Sequence, residues 1–154
     1  MDTTYFETFL RTVESCPDKR EILGDEELIL PPSPDYGYDS TPRNALTFAA
    51  MGVDGVHYAI LKINGAIGDD SPVVHVGPMD FSEPYLVVGD SFINYLATAC
   101  GITAREMEAV FQAERAGQGR LVPFLKQHFV PARLYDETRL RKLAPFLDLI
   151  EPKS

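Results

Sequence analysis

The sequence predicts an α+β domain: one antiparallel or mixed sheet of about four to six strands, helices packed on it, and a helical C-terminal third. Three observations predict it. Gly52-Val53-Asp54-Gly55 joins the apolar runs Ala45–Met51 and Val56–Ile63 as a hairpin, because Asp-Gly tolerates the positive φ that a tight turn requires. Two more short apolar runs, Pro72–Val76 and Tyr85–Val88, follow at the spacing of an antiparallel meander, with turn residues between them. Stripes of helical period precede and follow these strands.

In chain order, Asp2 to Cys16 reads as a first helix with the stripe Phe6, Phe9, Leu10 and Val13, capped by Asp2 or Thr3 and ended by Pro17. Glu27–Leu30 is a short strand or an extended crossing. Pro31, Pro32 and Pro34 then remove helix and most ladder hydrogen bonds, so a loop carrying Tyr36 and Tyr38 beside Asp35 and Asp39 is expected. Along the second hairpin run, Val56, Tyr58, Ile60 and Lys62 alternate with His57, Ala59, Leu61 and Ile63. Both sets are largely apolar, which predicts a strand covered on both faces.

After Gly89 the period becomes helical. Asp90 or Ser91 caps a helix with the stripe Phe92, Ile93, Leu96 and Cys100, closed by Gly101. Thr103 and Glu106 form a capping box for a helix carrying Met107, Val110 and Phe111, which Gly117-Gln118-Gly119 breaks. A shorter helix, Leu121–Phe129, has Pro123 in its first turn. A last one runs from about Asp136 to Leu149, with a break at Pro145. No linker-like stretch separates the halves, so the 154 residues form one domain with one core.

Charge narrows the partners. The formal net is −9, and it is uneven: residues 1–99 carry 16 acidic against 5 basic residues, whereas residues 100–154 carry 7 against 9. Such a body repels nucleic acid and anionic membranes and attracts basic proteins. The two cysteines, Cys16 and Cys100, lie far apart without metal spacing. No secretory segment is apparent, and no run approaches the ~20 apolar residues of a membrane span. A cytoplasmic protein is expected.

No catalytic constellation emerges. His57 and His75 lie on adjacent predicted strands, near loops carrying Asp54, Asp69, Asp70 and Asp80, so a His/His/Asp metal site is one alternative. There is no HxH, HExxH or HxxxH spacing, however, and ordinary strand and turn residues account for all of them. The glycine-rich segments match no phosphate-binding pattern, and no cofactor is called for.

The segment Tyr38-Asp39-Ser40-Thr41-Pro42-Arg43-Asn44-Ala45-Leu46-Thr47-Phe48-Ala49, followed by Gly52-Val53-Asp54-Gly55-Val56-His57-Tyr58, resembles part of the SUKH superfamily. So do the Pro72–Val74 run, the Pro78-Met79-Asp80-Phe81 loop and a helix over Phe92–Ala99. That superfamily includes yeast cell-wall regulators and bacterial proteins that neutralise polymorphic toxins. The likeness covers about residues 38–101; residues 103–154 fall outside it, and the chain has no tryptophan. It implies an α+β fold and a non-enzymatic role in binding a protein, a basic toxin domain being one such partner. The candidate partner-binding residues are Tyr36, Tyr38, Asp39, Asp54, His57, Asp69 and Asp70. One or both tyrosines folding back onto the sheet is the other expectation for them. A metal-dependent enzyme or small-ligand sensor using His57, His75 and the aspartates, and a self-associating structural protein, are the alternative functions.

Overall fold

A computed structural model describes residues 3–153. Five strands, β1 (Glu27–Ser33), β2 (Ala45–Ala50), β3 (His57–Leu61), β4 (Val73–Val76) and β5 (Tyr85–Gly89), form one antiparallel sheet in the order β1-β2-β3-β4-β5. Helix α1 (Tyr5–Glu14) precedes it, and α2 (Phe92–Cys100), α3 (Ala104–Arg115), α4 (Leu121–His128) and α5 (Glu137–Leu143) follow. Two 3-10 helices, Pro131–Tyr135 and Ala144–Leu149, flank α5. The expected meander and helical C-terminal third are both present.

Most boundaries follow local chemistry. Thr4, one residue later than expected, caps α1 by accepting from the Glu7 amide at 3.1 Å; Asp2, the other expected cap, lies outside the described residues. Ser91 caps α2, and Gly101 closes it in the left-handed region at φ 72°. The Thr103–Glu106 capping box is formed. Pro145 stops α5 short and the chain continues as a 3-10 helix, the break that its ring predicts. The prolines did not prevent a strand at Pro31 and Pro32. β1 runs through them because it is an edge strand with irregular register, where a missing N–H costs no ladder bond. The Pro131–Tyr135 helix had no periodic signal.

β3 is buried along its whole length. On one face Phe6, Phe9, Phe48, Tyr58, Ile60, Phe92, Tyr95 and Phe111 join the larger core, beneath α1 to α4. Edge-to-face pairs such as Phe9–Phe92 (5.1 Å) and Phe48–Tyr95 (5.7 Å) order it, each contributing about 0.5–1.5 kcal/mol beyond burial. On the other face Ala45, Ala59, Leu61, Val74, Val76, Val87 and Leu143 form a thinner core, with Phe146 and Ile150 packed against it. The C-terminal residues therefore cover a second face of the same sheet, and the single core expected is two cores.

An irregularity in β2 between Thr47 and Ala49 lets consecutive residues Phe48 and Ala49 both enter the larger core, which is why Ala45–Ala50 does not alternate. At the opposite edge Arg139 donates to the Val88 carbonyl, and at 2.9 Å to Asn94 Oδ1, tying α5 to β5 and α2. Asn44, buried before β2, donates to the carbonyls of Lys62 (3.0 Å) and Leu149 (2.9 Å) and accepts from the Glu151 amide (2.9 Å), fastening the C-terminal segment.

Candidate functional site

An antiparallel meander has two ends. The β2–β3 turn and the β4–β5 loop share one, since His57 pairs with Val76; the β3–β4 loop lies at the other. This places Asp54 at one end and Asp69 and Asp70 at the other, so the predicted residues do not form one patch.

Asp69 belongs to the fold. Its Oδ1 accepts from the Tyr5 amide at 2.7 Å, where the first-turn N–H groups of α1 lack helical partners. Asp70 is exposed beside it.

Tyr36 and Tyr38 fold back onto the sheet. Their ring centroids lie 4.7 and 5.7 Å from that of His57, and Tyr38 approaches Gly55 so closely that a Cβ there would meet its ring at 2.7 Å. Gly55 is also at φ 72°, so this position requires glycine twice over. His57 is buried, its Nε2 3.1 Å from Thr41 Oγ1 and its Nδ1 2.9 Å from the Gly55 carbonyl; burial lowers its pKa. The two tyrosines thus cover the His57 ring, Tyr38 stacked on it and Tyr36 tilted, with Tyr38 still partly exposed and Asp39 exposed beside it.

His75 does not meet His57. It pairs with Tyr58, whereas His57 pairs with Val76, so adjacent register positions send the two rings to opposite faces of the sheet. The His/His/Asp alternative fails on this parity. His75 Nδ1 is instead 2.7 Å from the Tyr135 hydroxyl, which also meets the Tyr58 hydroxyl, and burial lowers its pKa to about 4. Burial raises Tyr135 to about 12, raises Tyr58 and Tyr95 well above their ordinary values, and pushes the Cys100 thiol up to about 12, leaving it inert.

The hairpin end carries what sequence reasoning left out. Met51 (43% exposed), Val53 (60%), Met79 (63%) and Phe81 (88%) project from its two loops. Phe81 sits on an ordered turn: the Asp80 amide donates to the Gly77 carbonyl at 3.0 Å, and Asp80 Oδ1 accepts from Ser82 Oγ and the Glu83 amide, both at 3.1 Å. The Gly77 amide closes the loop onto the Pro84 carbonyl at 2.7 Å. Residues 51–56 and 77–84 contain Asp54, Asp80 and Glu83 and no lysine or arginine. The available signal was Met-Asp-Phe inside a proline-bounded loop, where no strand partner exists to bury two large apolar side chains.

A cleft of about 650 Å³ between α1 and α3 has its arginine engaged: Arg115 donates to Thr8 Oγ1 (3.1 Å) and the Thr3 carbonyl (2.8 Å) and lies 4.6 Å over the Tyr5 ring. A cleft of about 420 Å³ beside the hairpin end is lined by residues 24–26, Met51 and residues 129–132. Among the described residues no helix is long and apolar enough to cross a membrane. No family model, curated protein or solved structure matches this chain.

Proposed function

We propose that this chain is a non-enzymatic protein-binding domain that docks a basic partner protein on the hairpin end of its sheet. The exposed Phe81 side chain on a hydrogen-bonded turn carries the reading. Left in water, such a side chain forgoes the roughly 1.5–3 kcal/mol that burial would release, and a preformed turn loses little entropy on docking. Aromatic residues in this setting are the usual anchors of interfaces. Asp54, Asp80 and Glu83 are the charged residues of the two loops that carry the apolar tip, and the wider acidic body supplies a long-range field that speeds encounter with a basic surface. The likeness of residues 38–101 to SUKH immunity and regulatory proteins supports the same reading, with a basic toxin domain as one partner of this kind.

Affinity capture from native lysate at low and high salt, with the wild-type chain and a Phe81→Ala/Met79→Ala variant, tests it. The expected result is one dominant basic protein, weaker at high salt and lost by about 10–100-fold on the variant. Equal retention by both baits, or no partner at either salt, would overturn it. A mass in solution that doubles with concentration, and stays monomeric in the variant, would assign the same surface to self-association instead.

A further inference from the structure

We propose that the cleft formed by residues 24–26, Met51 and residues 129–132 binds an ammonium or guanidinium group on an apolar stem, with Glu26 as its counter-charge. Glu26 is 5% exposed, and both its carboxyl oxygens are sealed from solvent without a hydrogen-bond partner among the described residues. A buried acceptor left in this state costs about 1–3 kcal/mol, more when charged, which a donor-bearing ligand recovers. The Tyr58 hydroxyl lies beside the carboxyl and offsets part of the burial, but it is committed to Tyr135 and, at 3.7 Å, to Met51 Sδ.

The cleft supplies the remaining chemistry. Met51, Phe129, Val130, Pro131 and Ala132 make an apolar channel for a stem, and Asp25 and Glu26 are its only charged residues. Met51 is unbranched and 43% exposed, so it can turn aside and widen the cleft beside the carboxyl at the cost of its Tyr58 contact. The groups around Glu26 leave it as the available anion. Tyr58 from β3, Tyr95 from α2 and Tyr135 from the 3-10 helix all have raised pKa values and are neutral, and His75 beyond Tyr135 is neutral above about pH 4. Lys19 and Arg20 line an adjoining cleft that shares Gly24, Asp25 and Glu26 with this one. Neither pairs with its carboxyl. Burial raises Glu26 to about 7, so the cation binds more tightly above that pH than below it.

The same cationic chemistry comes either from a free small molecule or from an arginine or lysine of a docked protein. Titration of the ¹⁵N- and methyl-labelled chain with n-butylguanidinium, n-butylammonium, a Gly-Arg-Gly peptide and the uncharged n-butylurea tests the site and separates the sources. Saturable shifts at Met51, Val130 and Ala132 are expected with the cations and not with the urea. They should strengthen as pH rises through about 7 and weaken about tenfold or more in Glu26→Gln. Tighter binding of the free cation indicates a small-molecule ligand; tighter binding of the peptide indicates a partner side chain. Absence of saturable cleft shifts with every cation, equal binding of n-butylurea by the wild-type chain, or undiminished binding in Glu26→Gln would overturn the proposal. Phe81→Ala leaves these shifts unchanged, so failure here and failure of the docking surface are told apart.

Discussion

The two ends of the sheet carry similar loops and put them to different use. At the β3–β4 end, several acidic and polar side chains are consumed by the fold, with Asp70 left exposed. Asp69 caps α1, the buried Ser71 hydroxyl accepts from the Gly68 amide at 2.9 Å, and Asn44 holds three backbone groups at the start of β2. At the hairpin end the loops are held largely by their own hydrogen bonds, with Met51 Sδ meeting the Tyr58 hydroxyl and the Gly55 carbonyl meeting His57 Nδ1, and they leave Val53, Met79 and Phe81 in water and Met51 43% exposed. Loop acidity therefore does not distinguish a binding surface from a structural one in this chain. What distinguishes them is whether the loop's side chains already have partners.

Substitutions at the two ends should separate stability from binding. The largest effect is expected for Asn44→Ala, which orphans three backbone groups and should lower unfolding free energy by about 2–3 kcal/mol with partner affinity unchanged. Denaturant unfolding reads it. Phe81→Ala should show the reverse, with stability within about 0.5 kcal/mol of wild type. A common response of both variants in both assays would erase the distinction between the ends.

Glu26 contributes a pH signature on the hairpin side. Its folded pKa of about 7 lies above its ordinary value of 4.5, so the folded state favours the protonated form. Its destabilising effect grows as pH rises from about 4.5 through about 7 and is constant above. The lowered histidines act in the opposite sense, costing stability as pH falls from 6.5. The difference between wild type and Glu26→Gln isolates the carboxyl: the variant should gain on the order of 2 kcal/mol relative to wild type between pH 5 and 8. A flat difference would contradict the buried, unpaired state of Glu26.

Smaller effects follow from single charges. Asp69→Ala removes the acceptor at the start of α1 and should cost about 1 kcal/mol without altering association. Asp54→Asn with Glu83→Gln should slow association about two- to threefold at low salt and leave dissociation and stability nearly unchanged, as rim charges do. Stopped-flow mixing at two ionic strengths measures it.

The fold was largely legible because its signals are local. Asp54-Gly55 set the hairpin, Thr103–Glu106 opened α3, Gly101 closed α2 and Pro145 broke the last helix; each is a conformational requirement of one or two residues. The site was less legible because it depends on parity and on partners distant in sequence. His57 and His75 look adjacent until the pairing register sends them to opposite faces. For Tyr36 and Tyr38 the sequence left both a surface role and a fold back onto the sheet open, and His57, about twenty residues away, decides it. Asp69 finds its partner 64 residues away in α1. Glu26 sat in an acidic run and gave no sign of burial, while Phe81 belonged to a residue type ordinarily counted toward a core.

Hydrogen exchange on the captured complex reads both ends of the sheet in one experiment and so shows which of them meets the partner. Partner binding should slow exchange across residues 51–56 and 77–84 and leave residues 64–71 unchanged. Protection confined to residues 64–71, or spread equally over both ends, would contradict it.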